Sequence, residues 1–146
     1  MRGLSIVLLL AGLAGCERAP DGGAASGAGE PGGMMRRTMA GAIDTAGLRT
    51  RAVPADLASG ERFFAERCVS CHGEAALGTD VGPPLVHIYY EPNHHGDAAF
   101  VFAAERGVRA HHWNFGDMPP VPGVSRIEVM EIVAYVRWLQ REAGVY

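Results

Sequence analysis

The sequence predicts an all-α domain of three main helices joined by long loops. Three observations carry that prediction. Val129, Ile132, Val133, Val136 and Leu139 recur at the spacing of one helical face. No segment alternates apolar and polar residues for the length of a strand. Glycine and proline interrupt the intervals between helical segments at Gly78, Gly82-Pro83-Pro84, Pro92 and Pro119-Pro120.

The chain of 146 residues starts with a segment that the fold does not need. Arg2 supplies a short positive region. Leu4 to Leu13 is an apolar run, long enough for a signal peptide and too short to span a bilayer. It ends in Leu13-Ala14-Gly15-Cys16, which resembles the lipoprotein box of bacterial exported proteins. That resemblance implies a signal peptide over residues 1–15, cleavage before Cys16, and lipidation of its sulfur and new amino group. Two or three acyl chains hold a protein at a membrane, where one chain binds only marginally. The competing reading is an ordinary secretory signal with an incidental cysteine. Either way the chain is exported, and Cys68 and Cys71 meet an oxidising compartment.

Residues 16–54 then read as the lipidated cysteine and a flexible tether. Gly22-Gly23-Ala24-Ala25-Ser26-Gly27-Ala28-Gly29 cannot bury enough apolar surface to offset chain entropy. At ~5–6 Å times the square root of its length, such a tether has an r.m.s. reach of about 35 Å. Met34, Met35 and Met39 lie within it. Clustered thioethers can bind Cu(I), but the plainer reading is a weakly amphipathic stretch lying on the domain or the membrane.

The predicted domain covers residues 55–146. Its first helix starts at Asp56 as N-cap and runs through Leu57, Gly60, Phe63 and Phe64 to Cys68. The second follows Asp97, covers Ala98 to Arg106 and stops at Gly107. The third opens with Ser125 and Glu128, an S-x-x-E capping box. With seven arginines against twelve acidic residues, this domain carries a formal charge of −5, and the whole chain −3. That balance speaks against a nucleic-acid partner. A core this small benefits from a covalent staple or a cofactor.

Cys68-Val69-Ser70-Cys71-His72 has the form C-x-x-C-H. Two thiols one helical turn apart can add to the two vinyl groups of a haem as thioethers, and the adjacent imidazole then projects at the iron. A redox disulfide would place the pair at a helix start after a strand, and no strand precedes it here. A zinc site would call for a second ligand pair, and no other cysteine lies in the domain.

With this motif the chain resembles the class I c-type cytochromes, in particular the small bacterial monohaem members. The resemblance covers the domain from about Leu57 to Leu139. Gly60, Phe64 and Cys68 match the G-x-x-x-F-x-x-x-C of the first helix. Ile132 and Tyr135 fall where the last helix crosses the first, with Gly60 allowing close approach. Gly82-Pro83-x-Leu85 is similar to the family's G-P-x-L, which implies that the Pro83 carbonyl accepts a hydrogen bond from His72 and fixes its tautomer. Without the resemblance, Gly82-Pro83-Pro84 reads as a rigid turn.

His72 leaves one axial iron position to fill. Met118-Pro119-Pro120, shortly before the last helix, is similar to the family's methionine loop. A neutral thioether raises the reduction potential relative to two imidazoles, and the prolines stiffen the loop. Trp113 stands five residues before Met118, the spacing at which the small bacterial members place a tryptophan that donates to a haem propionate. His111 or His112 as ligand would give a bis-histidine haem of low potential.

Five histidines besides His72 fall between residues 87 and 112: His87, His94, His95, His111 and His112. The family pattern does not call for the two His-His pairs. Three readings stay open. The pairs form a second metal site for copper or zinc, at His94, His95, His111 and His112. They form a pH-sensitive or partner-contacting surface. Or they pack and hydrogen-bond around the haem edge.

The implied function is single-electron transfer by a lipid-anchored periplasmic cytochrome with one covalent haem c and His72 and Met118 as axial ligands. Redox partners in membrane oxidoreductase or oxidase complexes follow from the resemblance. The alternatives are a haem enzyme of peroxidase or nitrogen-oxide type, in which Met118 leaves the iron, and a copper-binding haem protein that uses the histidine pairs.

Overall fold

The computed structural model describes residues 43–146. The signal segment, Cys16 and the three tether methionines Met34, Met35 and Met39 lie outside the described residues. Four α-helices follow: α1 (Ala58–Arg67), α2 (Val69–His72), α3 (Asp97–Arg106) and α4 (Arg126–Glu142). Among the described residues there is no strand, only an isolated antiparallel bridge between Val108 and Met118. None of these helices is long and apolar enough to cross a membrane.

The frame is the crossing of α1 and α4. Gly60 makes it possible, because a Cβ there would stand 2.2 Å from the Glu131 carbonyl oxygen and 3.0 Å from Tyr135 Cβ. Phe64, one turn on, packs on Tyr135 with ring centroids 5.6 Å apart. Val129, Ile132, Val133, Val136 and Leu139 are all buried, as their spacing requires. Fully burying such a side chain stabilises by about 1.5–3 kcal/mol. Val101 and Ala104 of α3 join Val129 and Val133 in a second cluster.

The start of α4 obeys its sequence signal. Ser125 Oγ accepts from the Glu128 amide, and the Glu128 carboxylate accepts from the Ser125 amide. Ser125→Ala is expected to cost about 1 kcal/mol in denaturant unfolding of the haem-loaded protein. The Ser125 amide bond, and then the Ser125 hydroxyl beside it, hold the Glu128 carboxyl below its ordinary 4.5. The stability from this carboxylate is therefore present above pH 4.5 and lost as pH falls through the lower native value. Glu128→Ala should be costly at neutral pH, and its cost should shrink in acid.

Two readings need correction. Asp56 does not cap α1: the helix is entered through a 3-10 turn at Ala55–Leu57, and no side chain caps it at Leu57. Asp56 sits in the first turn of that entry, where its charge faces the positive pole of the helix. The tether also ends earlier than residue 54. Leu48 is buried in the main core cluster with Trp138, Leu139 and Ala143, and Ile43 and Val53 pack against it. The Asp44 amide donates to the Ala143 carbonyl at 2.8 Å, so residues 43–54 pack on the end of α4.

Candidate functional site

Cys68 ends α1 and α2 supplies the next turn, so Cys68, Cys71 and His72 line one cavity of about 600 Å³. Most of its wall is apolar, with Leu85, Phe102, Val121 and Ile132 among the lining residues. Neither cysteine is in a disulfide. Burial pushes the Cys68 thiol up to about 11. Neither cysteine belongs to a metal-ligand cluster among the described residues.

The backbone around the motif leaves no room for side chains. Gly73 has φ +74°, and a Cβ on it would meet the Gly78 carbonyl oxygen at 2.3 Å. Thr79 Oγ1 donates to the Cys71 carbonyl at 2.6 Å. These contacts seat the Gly82-Pro83 turn beside His72, whose Nδ1 lies 2.9 Å from the Pro83 carbonyl oxygen. A carbonyl only accepts, so Nδ1 carries the proton and Nε2 keeps its lone pair. Burial lowers the His72 pKa, which keeps that ring neutral.

Met118 lines the same cavity. Its main chain is clamped by two bonds of 2.9 Å with Val108, its amide to the Val108 carbonyl and the reverse. Gly107, at φ +76°, allows this approach, since its Cβ would lie 2.4 Å from the Met118 carbonyl oxygen. The Val121 amide donates to the Ala104 carbonyl at 2.8 Å, and the Ala110 amide donates to Asp117 Oδ1 at 2.9 Å. The loop between is therefore held at its base by backbone bonds and by the Asp117 carboxylate, and no hydrogen bond from the Met118 side chain takes part.

Trp113 also lines the cavity, and its indole Nε1 is buried with no hydrogen-bond partner among the described residues. An orphaned buried donor costs about 1–3 kcal/mol unless an acceptor reaches it. A covalently attached haem fits this set: an apolar slot, two thiols one turn apart on its wall, an imidazole lone pair, a thioether, and an unpaired donor suited to a propionate. Burial raises the pKa of Tyr90, offset in part by the Trp113 N–H, which lies near the Tyr90 hydroxyl but outside hydrogen-bond geometry.

The loops bring the histidines together. His94, His95 and His112 each place one ring nitrogen so that all three lie within 4.8 Å of one another. His111 stands beside them, its ring 4.2 Å from that of His112 and 5.7 Å from that of His95, but outside this ligand set. His87 is turned elsewhere, its ring edge-on to Tyr89 and Trp113. Desolvation, then the positive charge that neighbouring His111, His95, His94 and His87 would carry, lowers the His112 pKa.

One residue of this region was not singled out in the sequence. Arg137 is 5% exposed and reaches Asp97 Oδ1 (2.8 Å), Gln140 Oε1 (2.7 Å) and the carbonyls of Tyr90 (2.5 Å) and His95 (2.6 Å). It holds the loop that carries His94 and His95 against α4. A signal was present: Arg137 and Gln140 continue the apolar face of Val133 and Val136 at helical spacing, and a charge there needs partners.

No curated protein and no solved structure matches the chain. The family model described as cytochrome c matches residues 57–140, from the entry of α1 to the last turn of α4 and more than half of the sequence, and the chain belongs to the cytochrome c family.

Proposed function

We propose that this c-type cytochrome is a single-electron carrier tethered to the periplasmic side of a bacterial membrane. In this reading Cys68 and Cys71 hold the haem, and His72 and Met118 are its axial ligands. Haem c, which this family binds covalently, supplies a one-electron couple at its iron. The carrying observation is that these four side chains line a single apolar cavity.

Each group has a physical task there. Pro83 orients His72 and increases its donor strength through the Nδ1–H bond. The neutral thioether of Met118 favours the reduced state relative to a second imidazole. The apolar wall limits water, so little has to reorganise when the charge changes by one. Trp113 offers its free N–H to a propionate.

Membrane anchoring rests on Leu13-Ala14-Gly15-Cys16, and the tether would raise the effective concentration of the domain near fixed partners. The formal charge of −5 over residues 55–146 suits a basic docking patch on an oxidoreductase or oxidase complex.

A redox titration of the purified haem-loaded protein, followed by its spectra, tests the reading. A reversible one-electron transition with low-spin iron in both states is expected. High-spin iron that binds peroxide or nitric oxide rapidly would replace the carrier with a haem enzyme.

A further inference from the structure

His95, His111 and His112 line the cavity, and His94 packs on His95 and His112; none has a task in the proposed electron transfer, yet their arrangement is specific. His94 Nε2 and His112 Nε2 are 3.1 Å apart. Two nitrogens bound at 2.0–2.1 Å to one tetrahedral ion stand about 3.3 Å apart, so this pair already has nearly ligand spacing. His95 completes the group: one ring nitrogen from each of His94, His95 and His112 lies within 4.8 Å of the other two.

The rings are also oriented as ligands need to be. His95 Nδ1 lies 2.5 Å from the Tyr89 carbonyl oxygen, so it carries the proton and leaves Nε2 as the lone-pair donor. A backbone carbonyl that fixes the tautomer of an imidazole is the usual outer support of a metal-binding histidine. His87 shows the contrast. Its Nδ1 accepts from the Tyr89 amide at 3.2 Å, so its proton sits on Nε2 and no lone pair is left to give.

Packing alone accounts for less of this. A His94–His112 hydrogen bond would use two of the nitrogens and leave His95 Nε2 without a protein partner among the described residues. No carboxylate forms an ion pair with any of these rings among the described residues. A cluster of imidazoles with no counter-charge is unfavourable when protonated and favourable around a cation. The scaffold is firm as well: the amides of His94 and His95 donate to the Glu91 carbonyl at 3.0 and 2.8 Å, and Arg137 holds the His95 carbonyl at 2.6 Å.

We propose that His94, His95 and His112 form a second metal site, distinct from the haem iron, that binds one divalent transition cation such as Zn²⁺ or Cu²⁺. Three neutral imidazoles suit these ions and leave a fourth position open to water or to a ligand from a partner. His95 and His112 line both this site and the haem cavity. A cation here therefore stands at the wall of that cavity, where its charge would favour the reduced state of a haem held there, and by reciprocity reduction would tighten the binding of the cation.

The test is calorimetric titration of the untagged, haem-loaded full chain with ZnCl₂, beside His94→Gln and His112→Gln. One equivalent should bind to the native chain, with affinity at least tenfold weaker in each variant. The haem absorption spectrum and helix content of each variant are recorded, so that a folding defect is recognised. With Cu²⁺, electron paramagnetic resonance should show hyperfine structure from nitrogen ligands, which reports on the site independently of redox function. Zinc affinity equal in the native chain and in a correctly folded His94→Gln/His112→Gln double variant would overturn the proposal. So would a copper spectrum without nitrogen hyperfine structure.

Discussion

Replacing Met118 with alanine in the haem-loaded protein is expected to abolish the weak near-infrared sulfur-to-iron band. It should also lower the reduction potential by on the order of 100 mV or more, within the ~0.8 V that axial ligands span. The sign follows from the donor lost. A neutral, soft thioether stabilises the reduced iron, and either water or a neighbouring imidazole from His111 or His112, which line the same cavity, favours the oxidised state more. The fold should survive, because the loop is closed by the main-chain bonds of Val108 with Met118 and of Val121 with Ala104, which alanine preserves. The experiment is a potentiometric titration with visible and near-infrared spectra, native protein beside variant. An unchanged band and potential in the variant would remove Met118 from the iron.

How much of this was legible depends on whether the signal was local. The capping box and the buried stripe of α4 lie within one segment, and both could be read directly. The crossing at Gly60 came only through family resemblance, since nothing near Gly60 in the chain reveals that the Glu131 carbonyl will approach it. Residues 43–54 were misread because their composition shows no apolar period; Leu48 finds its core across the chain, against α4. Ala75 and Ala76 show propensity failing outright. Alanine is the best helix former, yet the two adopt φ of 51° and 56°. Ala76 is fully buried, and its carbonyl accepts from the amides of Leu85 and Val86, so tertiary contacts decide the local conformation. In the candidate site, the residue types were legible and their meeting was not. Whether His94 and His95 reach His112 depends on how the intervening loop is tied down, and part of that tie is Arg137, forty-two residues beyond His95.

That dependence makes Arg137→Leu the structural substitution with the largest expected effect. Leucine fills part of the same space but leaves the His95 carbonyl without its donor and strips one bond from Tyr90, whose carbonyl keeps Gln140 Nε2 at 3.1 Å. Hydrogen bonds from a charged donor contribute about 1.5–3 kcal/mol each, and an abandoned buried carbonyl adds its own cost. The ion pair with Asp97 adds little, because that carboxylate is 53% exposed and screened by water. A net loss of about 2–4 kcal/mol is therefore expected in denaturant unfolding of the haem-loaded protein. Asp97→Ala should cost less than about 1 kcal/mol, which separates the carbonyl clamp from the ion pair. Arg137→Lys should rescue little, since a single ammonium cannot serve acceptors spread around a planar guanidinium. Hydrogen exchange locates the damage: in Arg137→Leu the amides of His94 and His95 should lose protection, while those at the start of α4, capped by Ser125, should keep theirs. If Arg137→Leu unfolds within about 0.5 kcal/mol of the native protein, the clamp on the histidine loop is not what holds it.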